Sequence, residues 1–302
     1  MNDYINLVED ILVNGSDVDT RSGKCRMLTH KTLSFDLSDG FPRLTNRYVP
    51  FKSVAVELEG FIGGITSKKW YQDRGCNFWD SWANPKEVIR RMPELAKLKN
   101  RDDFVKHCMK IENDLGPIYG YNWRRFNQKY IYVNGKPLPP FGQKNLETDQ
   151  LAKILETLMT APNDRRMYVS SWNPQQIDQM ALPPCHISWK VDVIDGKLDL
   201  FFHMRSWDVY LGGPANIQSY AILNHLLSRH ANLKPGKLTV FASNVHLYHN
   251  LLPQCEELIK RPQHELPEIK FKDYGHFWNW THEDIECIDY KHSGKLAAEV
   301  SL

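Results

Sequence analysis

Cys185 stands in the run Pro183-Pro184-Cys185-His186, directly ahead of a stretch that alternates like a strand. The two prolines fix φ on the approach to that strand, and so fix where the thiol points. A cysteine attacks as thiolate, which requires positive potential nearby. Arg165-Arg166 and Arg205-Ser206 offer it from neighbouring strand ends. A buried core cysteine beside an ordinary histidine is the competing reading at this level. The other cysteines, Cys25, Cys76, Cys108, Cys255 and Cys287, form no C-x-x-C pair, so neither a zinc site nor a disulfide framework is indicated.

Arg205-Ser206 closes an apolar strand, where a forked donor and a hydroxyl together suit a phosphate. Arg165 and Arg166 are adjacent, and adjacent residues on a strand point to opposite faces. Both therefore serve one site only through distortion or a second subunit; a solvated pair is the plainer alternative. Asn216 carries a carboxamide, an acceptor beside a donor. Uracil presents an N3–H donor next to the O4 acceptor, which an amide matches, whereas cytosine presents the reverse. A simple helix cap is the commoner use of asparagine at a helix start.

The elements that must position these groups follow from periodicity. Residues 4–13, 52–64 and 149–160 have helical apolar spacing, with paired glycines ending the second and Asp149 near the start of the third. Residues 31–38 alternate as a strand closed by Asp39-Gly40-Phe41-Pro42. Residues 84–113 are charged and read as a surface helical insert, with Pro85 near its start and Pro93 interrupting it; residues 128–146 read as a loop. After Pro162 the pattern changes to strands over 166–171, 187–193, 197–204 and 238–248. Asp195-Gly196 marks a hairpin turn. A strongly apolar helix over 216–230 separates the last two strands, with Asn216 expected at its N-cap. No internal repeat or linker interrupts the chain, so one α+β domain over residues 1–302 is expected.

Composition narrows the function. The chain has 302 residues, 42% hydrophobic and 25% charged, with a net charge of +2. That is ordinary globular composition, without the basic excess of a general nucleic-acid binder. No run of about 18 apolar residues predicts a membrane span. Met1-Asn2-Asp3-Tyr4 lacks the basic start of a signal peptide, so a cytoplasmic protein with reduced thiols is expected.

Taken in order, these segments resemble the thymidylate synthase family along nearly the whole chain. The resemblance rests on Asp39-Gly40-Phe41-Pro42, Phe78-Trp79-Asp80-Ser81-Trp82-Ala83, Asp114-Leu115-Gly116-Pro117-Ile118-Tyr119-Gly120, Arg165-Arg166 with Ser170 to Asn173, Met180 to His186, Arg205 to Gly212, Pro214 with Asn216, and His246-Leu247-Tyr248. It implies a thymidylate synthase-like α+β fold, whose twisted mixed sheet, flanked by helices, forms a homodimer interface. It also implies dUMP as substrate, 5,10-methylenetetrahydrofolate as cosubstrate, and no metal. Cys185 then matches the nucleophile that adds to pyrimidine C6. Tyr119, and water organised by Glu57, match groups that remove the C5 proton. Arg21, Arg205 and Ser206 match phosphate ligands, and Arg165 and Arg166 match arginines reaching the partner's phosphate. Asn216 matches the reader of the uracil edge, and His246 and Tyr248 match the pair on the ribose hydroxyl. Asp208 matches a carboxylate that bonds the pterin, while Trp79 and Trp82 match indoles lining the folate side. His186 matches an accessory histidine.

Four departures from the family pattern bear on the outcome. Met204 stands where Gln usually precedes Arg-Ser, Ala215 replaces Phe, Glu59-Gly60 replaces an apolar pair that often includes Trp, and the ending 295–302 lacks Ala-Pro-Val. Phage-type deoxynucleotide hydroxymethyltransferases use the same scaffold but let water capture the exocyclic methylene. Met204 resembles that group. Its cytidylate-specific members carry Asp where this chain has Asn216, which disfavours dCMP. Trp79 favours the synthase, because a packed indole shields the methylene from water. A non-catalytic or RNA-binding relative is a third reading, opposed by Cys185, Asn216, Tyr119 and the site arginines.

Overall fold

Helix α1 (Asn2–Asn14) buries Tyr4, Ile5, Leu7, Val8 and Ile11 along one face, as its apolar spacing requires. The coordinates, a computed structural model, describe residues 1–97, 113–133, 136–138 and 148–297. Strand β1 (Ser16–Thr20) turns tightly into β2 (Gly23–Asp36), which extends well before the expected residue 31. Helices α2 (Phe51–Gly63), α3 (Lys68–Gln72), α4 (Pro85–Arg91) and α5 (Tyr119–Arg125) follow. Next come a small β3 (Ile131–Val133) and β4 (Lys136–Leu138) pair and helix α6 (Gln150–Thr160). The Asp149 side chain caps α6 by accepting from Ala152 N–H at 2.9 Å.

The second half is mostly sheet. Strands β5 (Tyr168–Ser170), β6 (His186–Ile194), β7 (Lys197–Met204), β8 (Trp207–Asp208) and β9 (Lys234–Tyr248) join β1 and β2 in the order β1-β2-β9-β7-β6-β5, with β8 beside β9. β9 pairs antiparallel with β2 but parallel with β7 and β8, so the sheet is mixed. Asp195 and Gly196 both take positive φ, 50° and 73°, and close the β6–β7 hairpin as their sequence predicts. Parallel pairing of β7 with β9 requires a long crossover, which helix α7 (Gly212–His230) supplies. Helix α8 (Leu252–Lys260) and a separate β10 (Glu268–Phe271) and β11 (Ile285–Ile288) pair complete the described elements.

Alternation along β7 sorts the two sheet faces. Leu198, Leu200, Phe202 and Met204 are buried beneath the helices, and Phe202 stacks on Tyr220 of α7 with ring centroids 4.2 Å apart. Phe201 and His203 point to the other face, where they are half-buried near Phe241 of β9. α7 is buried nearly all round, which suits a helix enclosed between sheet and outer helices. Of its buried polar groups, Asn224 donates to Leu198 O at 2.9 Å, and Gln218 Nε2 donates to Pro214 O at 3.0 Å while its Oε1 has no partner among the described residues.

Two sequence expectations change, and a third lies partly outside the described residues. α7 begins at Gly212, four residues before the expected start, so Asn216 lies within its second turn and is not its N-cap. Pro214 is tolerated there because first-turn N–H groups have no intrahelical acceptor. The stretch expected as loop over 128–146 contains the β3–β4 pair, and residues 139–147 lie outside the described part. Of the expected 84–113 insert, α4 and a 3-10 turn over Pro93–Lys97 are seen, and residues 98–112 lie outside the described part. Gly60 has a packing reason: a Cβ there would sit 2.3 Å from Cε1 of the buried Tyr71. The ring of Tyr71 occupies the space a larger residue at position 60 would need.

Candidate active site

Cys185 lies in a cleft floored by α2 and α5 and walled by β8 and the start of α7. Glu57, Trp79, Trp82, Tyr119, His186, Met204, Ser206, Asp208 and Asn216 line it with the thiol. Chain segments far apart in sequence therefore converge on one cleft, while Arg21, Arg165, Arg166, Arg205, His246 and Tyr248 are not among the residues lining it. The diproline turn ahead of β6 is clamped by Arg205, whose Nε and Nη2 donate to the Pro184 and Pro183 carbonyls at 2.8 and 3.0 Å. The Arg205 backbone N–H donates to Cys185 O at 2.8 Å. Cys185 N–H in turn donates to the Tyr119 hydroxyl at 3.0 Å. The thiol is thus held by its own backbone, from both sides.

Burial pushes the Cys185 thiol above its ordinary range; Arg205 and the Tyr119 hydroxyl pull it down, and Asp208 pushes it up. Burial therefore favours the thiol form, and the Arg205 guanidinium opposes it. His186 is not a base for it. Its ring stacks on Tyr119 at 3.9 Å and its Nδ1 lies 2.8 Å from the Tyr220 hydroxyl, and burial drives its pKa down to about 3.

Two carboxyl groups face the same space. Glu57 is recessed on α2 and accepts from Trp79 Nε1 at 3.0 Å. Desolvation raises its pKa to about 7, and the indole hydrogen bond offsets this only in part. Glu57 can therefore take and return a proton near neutrality. Asp208 accepts from the backbone N–H groups of Leu211 and Tyr210 at 2.9 and 3.1 Å. Burial still outweighs those bonds and Arg47, raising its pKa to about 6.

The indoles expected on the folate side line the cleft, with Trp79 buried and its ring edge-on to Tyr119 at 6.0 Å. Their loop is held by a residue outside the sequence motifs. Lys68 is buried in α3 and donates to the carbonyls of Asp80 and Trp82 at 3.3 and 3.0 Å. No signal in the sequence marks Lys68, because its burial and its carbonyl partners exist only in the fold. Trp207 was read only as part of a motif. It is buried, and its Nε1 donates to Asn216 Oδ1 at 3.2 Å.

His246 and Tyr248 come from the end of β9, with ring centroids 5.2 Å apart. The register sets His246 opposite Asp208. Its Nδ1 lies 2.9 Å from Asn244 Oδ1, and burial lowers its pKa to about 4, leaving a neutral ring. Arg21 is exposed in the β1–β2 turn, and its neighbour Ser22 is hydrogen-bonded to Tyr248. Arg165 and Arg166 do not line the cleft. Both are exposed, and Arg166 is bound to Asp164 through Nη2 at 2.8 Å, which holds that carboxyl down at about 2.

The tail runs toward the site. Tyr48 N–H donates to Gly294 O at 2.8 Å, Arg261 Nη1 to Ser293 O at 3.0 Å, and the Tyr210 hydroxyl to Leu296 O at 3.3 Å. The divergent last residues, 298–302, lie outside the described part. Among the described residues no cluster of His, Cys, Asp and Glu is arranged to hold a metal ion, and no helix is long and apolar enough to cross a membrane.

Known proteins similar to this chain over its whole length point to one family. A family model described as thymidylate synthase matches residues 2–302. A thymidylate synthase of Mycoplasma pneumoniae is 32% identical over 309 aligned residues, covering 100% of both chains. One of Mycoplasma genitalium is 33% identical over 317, again covering 100% of both.

Proposed function

The chain belongs to the thymidylate synthase family, and from that premise we propose that it converts dUMP to dTMP through a covalent adduct at Cys185. It is a methyltransferase of a family that uses methylenetetrahydrofolate as cosubstrate. The observation that carries the reading is the convergence of Cys185, Tyr119, Glu57 and Asn216 on one cleft.

Cys185 gives up its proton and attacks pyrimidine C6, which leaves C5 electron-rich. C5 takes the one-carbon unit from the folate. Tyr119 and water held by Glu57 accept the C5 proton as the folate amine leaves; a carboxyl with a pKa of about 7 suits that exchange. Hydride from the folate then reduces the exocyclic methylene, and Cys185 departs from C6. Arg205 and Ser206, with Arg21, bind the phosphate, and His246 and Tyr248 hold the ribose hydroxyl. Trp79 and Trp82 flank the folate, and Asp208 bonds its pterin.

Arg165 and Arg166 complete the phosphate site of a second subunit. Their absence from their own cleft supports this, as does the half-buried sheet face carrying Phe201, His203 and Phe241. We place the protein in the cytoplasm. Cys185→Ala tests the covalent step: it abolishes turnover while the protein still folds and binds dUMP, and an active alanine variant refutes the adduct.

A second reading, hydroxymethylation of dUMP (less readily of dCMP), draws on Met204. Its buried thioether lines the cleft where a glutamine would offer both a donor and an acceptor. Trp79 favours hydride transfer, because its buried indole keeps water from that side.

A further inference from the structure

An amide side chain does not by itself distinguish uracil from cytosine. A half-turn about its last torsion exchanges oxygen and NH2, and the reversed amide matches cytosine as well as the first matched uracil. Something must hold Asn216 in one orientation. Trp207 is placed to do so, since its Nε1 donates to Asn216 Oδ1 at 3.2 Å. An indole N–H only donates, so a reversed amide would set donor against donor in a part-buried site.

Trp207 cannot turn aside to relieve that conflict. It is 1% exposed and its strand pairs with β9, Trp207 opposite Val245. It packs beneath the first turn of α7, where a Cβ on Gly213 would be in ordinary van der Waals contact with its Cε2, 3.6 Å away. The bonded Oδ1 keeps a second lone pair, and Nδ2 keeps both its protons. The held amide can therefore still accept from uracil N3–H and donate to O4.

We propose that Trp207 is a specificity-determining positioning residue, whose indole N–H locks the Asn216 amide in the orientation that accepts uracil and rejects cytosine. The inference rests on Asn216 reading the base, as in the proposed function, and it names a residue that acts through Asn216.

The test is direct binding of dUMP and dCMP by calorimetry, without folate or turnover, to wild type and Trp207→Phe. Phenylalanine keeps a ring and removes the donor. The preference for dUMP over dCMP falls about tenfold in Trp207→Phe, the scale of one lost hydrogen bond plus one relieved donor–donor contact. General loosening of the pocket would weaken both nucleotides alike and leave the ratio unchanged. In an Asn216→Asp background the effect of Trp207→Phe on the ratio vanishes, because a carboxylate has no oxygen–nitrogen orientation to lock. Should Trp207→Phe fail to fold, Trp207→Tyr serves, replacing a donor-only group by a hydroxyl that also accepts. A dUMP preference that survives loss of the indole, within about twofold, overturns the lock alone. A wild-type protein with no preference for dUMP overturns the uracil reading and the lock together.

Discussion

Glu57→Gln should make this protein more stable and less active, with the stability gain growing as pH rises. The side chain keeps its size, and the amide oxygen can still accept from Trp79 Nε1. What disappears is a carboxyl that titrates near 4.5 when exposed but near 7 in the fold, because burial disfavours its charge. The sign follows from linkage: the folded state holds this proton more tightly than the unfolded chain does. The carboxyl is therefore harmless below about pH 4, and stability is lost as pH rises from about 4.5 to 7. At about 1.36 kcal/mol per pH unit, the ionised form costs the fold roughly 3 kcal/mol at pH 8. Urea unfolding of both proteins, at one concentration, at pH 5 and pH 8, measures the difference. The advantage of the glutamine variant should widen by roughly 2 kcal/mol between the two. Its kcat should fall by about 10²-fold or more, because an amide cannot relay a proton. An advantage that is the same at both pH values would refute the burial argument for Glu57.

Other outcomes follow from the same geometry. Asn216→Asp should move preference from dUMP toward dCMP, measured by competition between the two nucleotides; an unchanged ratio counts against amide readout. Replacing Arg165 and Arg166 together should weaken dUMP binding, and activity should return in mixed dimers with Cys185→Ala chains, whereas no rescue argues against a shared site. Gly60→Ala should destabilise the fold by about 1–3 kcal/mol, since its Cβ meets the Tyr71 ring at 2.3 Å; an unshifted thermal melt would show that Tyr71 moves freely. Lys68→Met should raise KM for the folate more than for dUMP, because the loop bearing Trp79 and Trp82 loses its anchor; equal changes would point to a general loss of fold.

Elements whose burial is one-sided were legible in the sequence. α1, α2, α6 and the β6–β7 hairpin show apolar periodicity or a turn pair that only one conformation satisfies. β1 was not legible, because all five of its residues are exposed and carry no alternation. The start of α7 was hidden by Gly212-Gly213-Pro214, residue types that break helices in isolation and are held here by packing against Tyr4 and Trp207. The ordered motifs brought together the cleft residues. They could not show the relations that depend on three-dimensional partners: the Arg205 clamp on the diproline, the indole on Asn216, or the lysine beneath the tryptophan loop. Nor could composition show that burial pushes the Cys185 thiol upward, since that depends on how much solvent the cleft excludes.

The central claim is that Cys185 and its cleft carry a methyl transfer finished by hydride. It is tested most directly by incubating the protein with dUMP and methylenetetrahydrofolate and identifying both products. The expected products are dTMP and dihydrofolate in equal amounts. Hydroxymethyl-dUMP with tetrahydrofolate would contradict it and assign the last step to water.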